Sequence, residues 1–106
     1  MQAAHLLRHL VTVLEELDLA YALAGSIASM AYGEPRATLD IDVAVRLTQT
    51  DAERLKTRFP SEEFYLDVEA AERAILERSQ FNILHPSSGL KIDVFVEGDE
   101  VERVQI

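Results

Sequence analysis

The chain has 106 residues, a formal net charge of −9 and no cysteine, which excludes disulfides and thiolate metal sites. It has no cluster of Lys and Arg, so an extensive nucleic-acid surface is excluded too, since phosphate backbones are held by such clusters. Apolar residues make up 48% and charged residues 27% of the chain, the balance of a soluble globular protein. No apolar run approaches the roughly 18 residues of a membrane span, and no basic n-region opens the sequence. The expected address is the cytoplasm, with no membrane partner. The sequence reads as one domain over residues 1–106, with no internal repeat.

In chain order, residues 3 to about 18 read as an amphipathic helix, because Leu6, Leu7, Leu10, Leu14 and Leu17 recur at helical spacing. Tyr21–Ala24 reads as a short buried strand. Gly25 turns the chain, and Ser26 is placed as the N-cap of a small-residue helix running to about Tyr32. Gly33 and Pro35 then break it. Arg36 reads either as a solvated loop residue or as a tether to an aspartate. Thr38 either starts the next strand or orients its carboxylates.

That strand is expected from Leu39 to Arg46. A helix follows over about 51–58, with Ala52, Leu55 and Phe59 inward and Thr48 or Thr50 as its cap. Phe64–Leu66 reads as a short edge strand. Asp67 caps a helix over about 68–78, with Val68, Ala71, Ile75 and Leu76 inward. Phe81–His85 and Leu90–Val96 read as an antiparallel hairpin around Pro86–Gly89. The fold class is α/β, with a mixed central sheet of about four to five strands flanked by helices.

Chemistry concentrates on three aspartates. Strand side chains alternate faces, so Asp40 and Asp42 point one way while Ile41, Val43 and Val45 point the other. Lys91, Asp93 and Phe95 share a face of the last strand, opposite Ile92, Val94 and Val96. If the two strands lie side by side in register, three carboxylates converge. Hard oxygen ligands of that kind suit Mg²⁺ or Mn²⁺ rather than zinc. The Gly25-Ser26 turn, opening a helix, is a phosphate-binding arrangement, since free N–H groups and the positive end of the helix dipole meet there. The alternative is a turn with an ordinary cap, and aspartates that are exposed or paired with Arg36.

Gly25-Ser26, Asp40-Ile41-Asp42 and Asp93 together resemble the nucleotidyltransferase superfamily with the DNA polymerase β-type catalytic fold. Gly33–Asp42 and Phe81–Val96 are similar to the uncharacterised and abortive-infection-type nucleotidyltransferases of bacterial toxin–antitoxin systems. The resemblance covers about residues 20–96. It implies a minimal nucleotidyltransferase fold, an enzyme that moves a nucleoside monophosphate from a nucleoside triphosphate to an unidentified hydroxyl acceptor, and release of pyrophosphate. It further implies that Asp40, Asp42 and Asp93 are catalytic and hold Mg²⁺ or Mn²⁺, and that Gly25 and Ser26 bind the β and γ phosphates. Arg36, Thr38 and Lys91 stand at matching positions on the nucleotide side. Family members carry a further helical domain that helps hold base or acceptor, and this sequence has none after about residue 96. The alternative expectation is therefore a weakly active or inactive binding component of a toxin–antitoxin pair, working through a partner protein or as a homodimer.

Overall fold

The computed structural model describes residues 2–23 and 40–97; the expected site residues Gly25, Ser26, Arg36 and Thr38 lie outside them. Helix α1, Ala3–Glu16, buries Leu6, Leu10, Val13 and Leu14 along one stripe. It stops two residues short of the expected end because Asp18 takes a positive φ of 60°, a left-handed conformation that aspartate tolerates and no helix continues. Strands β1, Tyr21–Leu23, and β2, Asp40–Arg46, follow.

Helix α2, Asp51–Arg58, buries Ala52 and Leu55. Thr50, one of the two expected caps, stands at the N-cap, but its side chain makes no capping hydrogen bond. Instead the buried Asp51 reaches back, and its Oδ2 accepts from the Thr48 N–H at 2.8 Å and the Thr48 hydroxyl at 3.1 Å. Its Oδ1 accepts from Arg54 at 2.7 Å. A buried carboxylate with three donors is satisfied, which is the condition for keeping it. Arg54 also donates to the Leu17 carbonyl at 2.9 Å and so ties α2 to the end of α1.

Helix α3, Val68–Glu77, is capped as expected by Asp67, which accepts from the N–H groups of Glu69 and Ala70. Replacing Asp67 with alanine is expected to cost about 1 kcal/mol, read as a lower urea midpoint with unchanged slope. The inward stripe is Ala71, Ala74 and Ile75. Leu76, expected inward, is 75% exposed, because it lies about 100° further round the helix than Ile75.

Strands β3, Gln80–His85, and β4, Leu90–Glu97, form the expected hairpin, with Gly89 at φ 79° completing the turn. The sheet order is β1-β2-β4-β3. β1 runs antiparallel to β2, β2 parallel to β4, and β4 antiparallel to β3. Among the described residues the fold is therefore α/β, with three helices and a mixed four-stranded sheet. The expected strand at Phe64–Leu66 is reduced to one bridge, Tyr65 to Leu84.

One face of the sheet and the helices share a continuous core that includes Ile41, Val43, Ile83, Ile92 and Val94 with Leu6, Leu10, Leu55 and Phe59. An aromatic cluster closes one side of it. The His9 ring stacks on Phe64 at 5.7 Å and meets Phe59 edge-on at 5.0 Å. Its Nε2–H donates to the Arg58 carbonyl at 2.9 Å, which fixes the tautomer. An Arg58–Glu16 ion pair joins the same two helices.

Tyr21 packs at the end of the sheet and donates its hydroxyl to Glu15 at 2.7 Å. That bond, with burial and the Glu15 charge behind it, raises the phenol above its usual value of 10.0. A raised folded-state value means stability that is full below the unfolded value and lost as pH climbs through the folded one. Tyr21→Phe should therefore lower the urea midpoint near pH 8, and its difference from the wild type should narrow as pH climbs above the usual phenol value of 10.0. No helix among the described residues is long and apolar enough to cross a membrane.

Candidate active site

The sheet's other face carries the chemistry, and register decides who meets whom. Across it runs a first row of Asp40, Lys91, Leu84 and Tyr65, joined by the pairings Asp40–Lys91, Lys91–Leu84 and Leu84–Tyr65. The second row is Asp42, Asp93 and Asn82. The third is Ala22, Ala44, Phe95 and Gln80. Every side chain in a row points the same way because pleats of neighbouring strands align.

Asp42 and Asp93 are direct cross-strand partners, with adjacent strands about 4.8 Å apart. Like charges directly opposite one another are destabilising. Asp93 is compensated: Asn82 Nδ2–H donates to its Oδ1 at 2.6 Å, and Lys91 Nζ stands 3.7 Å from the same oxygen. Lys91 Nζ is also 3.9 Å from Asp40 Oδ2. Asp42 is half-buried, and no hydrogen bond or ion pair reaches it among the described residues. Asp93 Oδ2 is likewise left open among them.

The structure thus brings Asp40, Asp42, Lys91 and Asp93 onto one face in two adjoining rows. Gly25, Ser26, Arg36 and Thr38 are not placed relative to them. Asn82 is the contributor that the sequence reading passed over. Its signal was available: once Pro86–Gly89 forms the turn, counting back from the His85–Leu90 pair puts Asn82 opposite Asp93.

A divalent ion can be tested against the donor set. The donors are all carboxylate oxygens, the chemistry that suits Mg²⁺ or Mn²⁺, and two of the three are in register. As the side chains stand, no group of three His, Cys, Asp or Glu residues among those described is gathered to hold a metal. The ammonium of Lys91 stands 3.9 Å from Asp40 and 3.7 Å from Asp93 instead. The donor set is of the chemistry a divalent ion takes, and the side chains are not gathered around one.

Beside the rows lies a groove of about 400 Å³, lined by Tyr65, Asp67, Gln80, Asn82, Leu84 and Lys91 among others. Its wall combines an exposed aromatic ring, two side-chain amides and a lysine. Compared with known proteins, the chain matches no family model, no curated protein and no solved structure.

Proposed function

We propose that the chain is a metal-dependent nucleotidyltransferase that moves a nucleoside monophosphate from a triphosphate to a hydroxyl acceptor. One observation carries the reading: Asp42 faces Asp93 in register and has no counter-charge among the described residues. A half-buried carboxylate pair of that kind is stabilised by a cation bound between its members.

In this reading Asp42 and Asp93 would hold Mg²⁺ or Mn²⁺, and Asp40 would join them. The ion, when bound, supplies charge neutralisation at the transferring phosphoryl group. Asn82 fixes Asp93 through Oδ1, so Oδ2 is the oxygen that takes the acceptor's proton. The acceptor oxygen bonds to the α phosphorus, the bond from that phosphorus to the bridging oxygen breaks, and pyrophosphate leaves. Positioning and charge neutralisation supply most of the rate in transfers of this type. The groove beside Asn82 and Tyr65 would take the acceptor. Gly25 and Ser26, from the sequence reading, would hold the β and γ phosphates.

The test is incubation of the purified chain with triphosphates labelled at the α or the γ position, Mg²⁺ or Mn²⁺, and acceptor pools of RNA, protein and small hydroxyl compounds. Metal-dependent transfer of the α label, with the γ label released, is the expected result. No transfer, together with no metal-dependent triphosphate binding by calorimetry, overturns the assignment.

A second reading is a binding component acting through a partner chain. The position of Lys91 favours it, since its ammonium already compensates Asp40 and Asp93 without a metal. A tight partner complex that forms equally well with Asp42→Asn would support that reading over the enzymatic one.

A further inference from the structure

Strand β3 stands at the end of the sheet order, and its outer side is only partly covered. The Leu84 N–H donates outward to the Tyr65 carbonyl at 3.0 Å, and the Leu84 carbonyl accepts from the Tyr65 N–H at 2.9 Å. Outward-facing backbone groups recur at every second residue of a strand, so those of Asn82 and Gln80 face the same side. Neither has a backbone partner there among the described residues, and both residues are exposed. The cause is local. Extending the antiparallel Tyr65–Leu84 register would set residue 67 opposite Asn82 and residue 69 opposite Gln80. Asp67 instead caps α3 and turns the chain away from the edge. Natural edges are usually blunted by Lys, Pro or a bulge; β3 has no Lys or Pro and keeps an unbroken register with β4.

We propose that the open stretch of β3 at Gln80 and Asn82 docks an extended basic segment of a partner protein as an added strand. The groove of about 400 Å³ runs along this stretch, with Tyr65, Asp67 and the small side chain of Ala70 on its other walls. Main-chain bonds to the edge supply affinity in such docking, and alternate side chains supply specificity. A residue opposite Asn82 would extend the row of Asp42, Asp93 and Asn82 on the same face. That row holds two carboxylates and no basic side chain, so a basic residue complements it. Tyr65, 56% exposed, lies beside that position and offers its ring to the same cation. The chain's net charge of −9 attracts a basic partner and repels a second copy. A second copy would also overlap at only the Gln80–Asn82 stretch, far short of the roughly 1,200 Å² of a stable interface. The inference gives a surface to the partner-binding reading and does not depend on nucleotide transfer.

The experiment titrates the full chain, without nucleotide or metal, with short end-blocked fluorescent peptides that alternate Thr and Val around a central Arg. Binding is read by anisotropy, and amide hydrogen exchange locates it. The Arg peptide should bind and slow exchange at Gln80 and Asn82. A peptide with Glu in place of Arg should bind at least about tenfold more weakly, since like charges are then juxtaposed. A peptide N-methylated at the pairing positions keeps the charge, loses the main-chain donors and should not bind. Gln80→Pro should weaken the Arg peptide, because it removes an outward N–H that the ladder to β4 does not use. If Gln80→Pro fails to fold, the N-methylated peptide carries the same test. No binding by the Arg peptide, or equal binding by the Glu or the N-methylated peptide, overturns the proposal. Protection of the two amides that grows with protein concentration in the absence of peptide assigns the edge to a second copy and overturns it too. With no triphosphate or metal present, none of these outcomes bears on the transfer reading.

Discussion

Asp42→Asn should lower nucleotide transfer at least about a hundredfold, the scale on which removing one preorganised electrostatic group acts, and should leave the fold unchanged. The substitution keeps the side chain's shape and removes its charge. Asp42 makes no hydrogen bond or ion pair among the described residues, so none of those is lost. It faces Asp93 across the parallel pair, so removing one of two like charges relieves repulsion. The urea midpoint should therefore hold or rise slightly while transfer of α-labelled nucleotide collapses. Loss of activity through misfolding would move both together. Wild-type transfer by this variant would remove Asp42 from the machinery.

Phe59→Ala should cost about 3–5 kcal/mol, a large share of the roughly 5–15 kcal/mol by which domains are stable. Phe59 is fully buried at the end of α2. Its ring meets Phe64 edge-on at 5.1 Å and His9 at 5.0 Å. The cavity would open where α1, α2 and the chain before α3 come together, and the two remaining rings, His9 stacked on Phe64, cannot fill it. Phe95→Ala is the matched control. Phe95 is 41% exposed on the opposite face, and its removal should cost less than about 1 kcal/mol. Denaturant unfolding of the two variants side by side checks the contrast.

Much of this architecture is legible in the residues. The leucine spacing of α1, the Asp67 cap and the alternation in β2 and β4 each state one local rule, and the structure follows them. The hairpin turn even carries the Asn82–Asp93 pairing, because an antiparallel register is set by its turn. The Asp42–Asp93 pairing is different. It belongs to a parallel pair whose strands are separated by α2, α3 and β3, and no local feature fixes that offset. Only packing of Ile41 and Val43 beside Ile92 and Val94 selects it. Lys91 was legible as a neighbour of Asp93 and not as a partner of Asp40, for the same reason. The inward placement of Leu76 failed because the buried stripe runs through Ala71, Ala74 and Ile75, and Leu76 lies about 100° round the helix from Ile75.

The parallel pairing of β2 with β4 also bears on how the molecule assembles. Asp42 and Asp93 are about fifty residues apart in the chain, and closing so long a loop is entropically costly and slow beside hairpin formation. The carboxylate pair should therefore arise late, after the β3–β4 hairpin and its neighbouring helix. An ion bridging Asp42 and Asp93 would act as a clasp between early and late parts of the chain. By mass action it would slow global unfolding and suppress proteolytic nicking between them, even where it catalyses nothing.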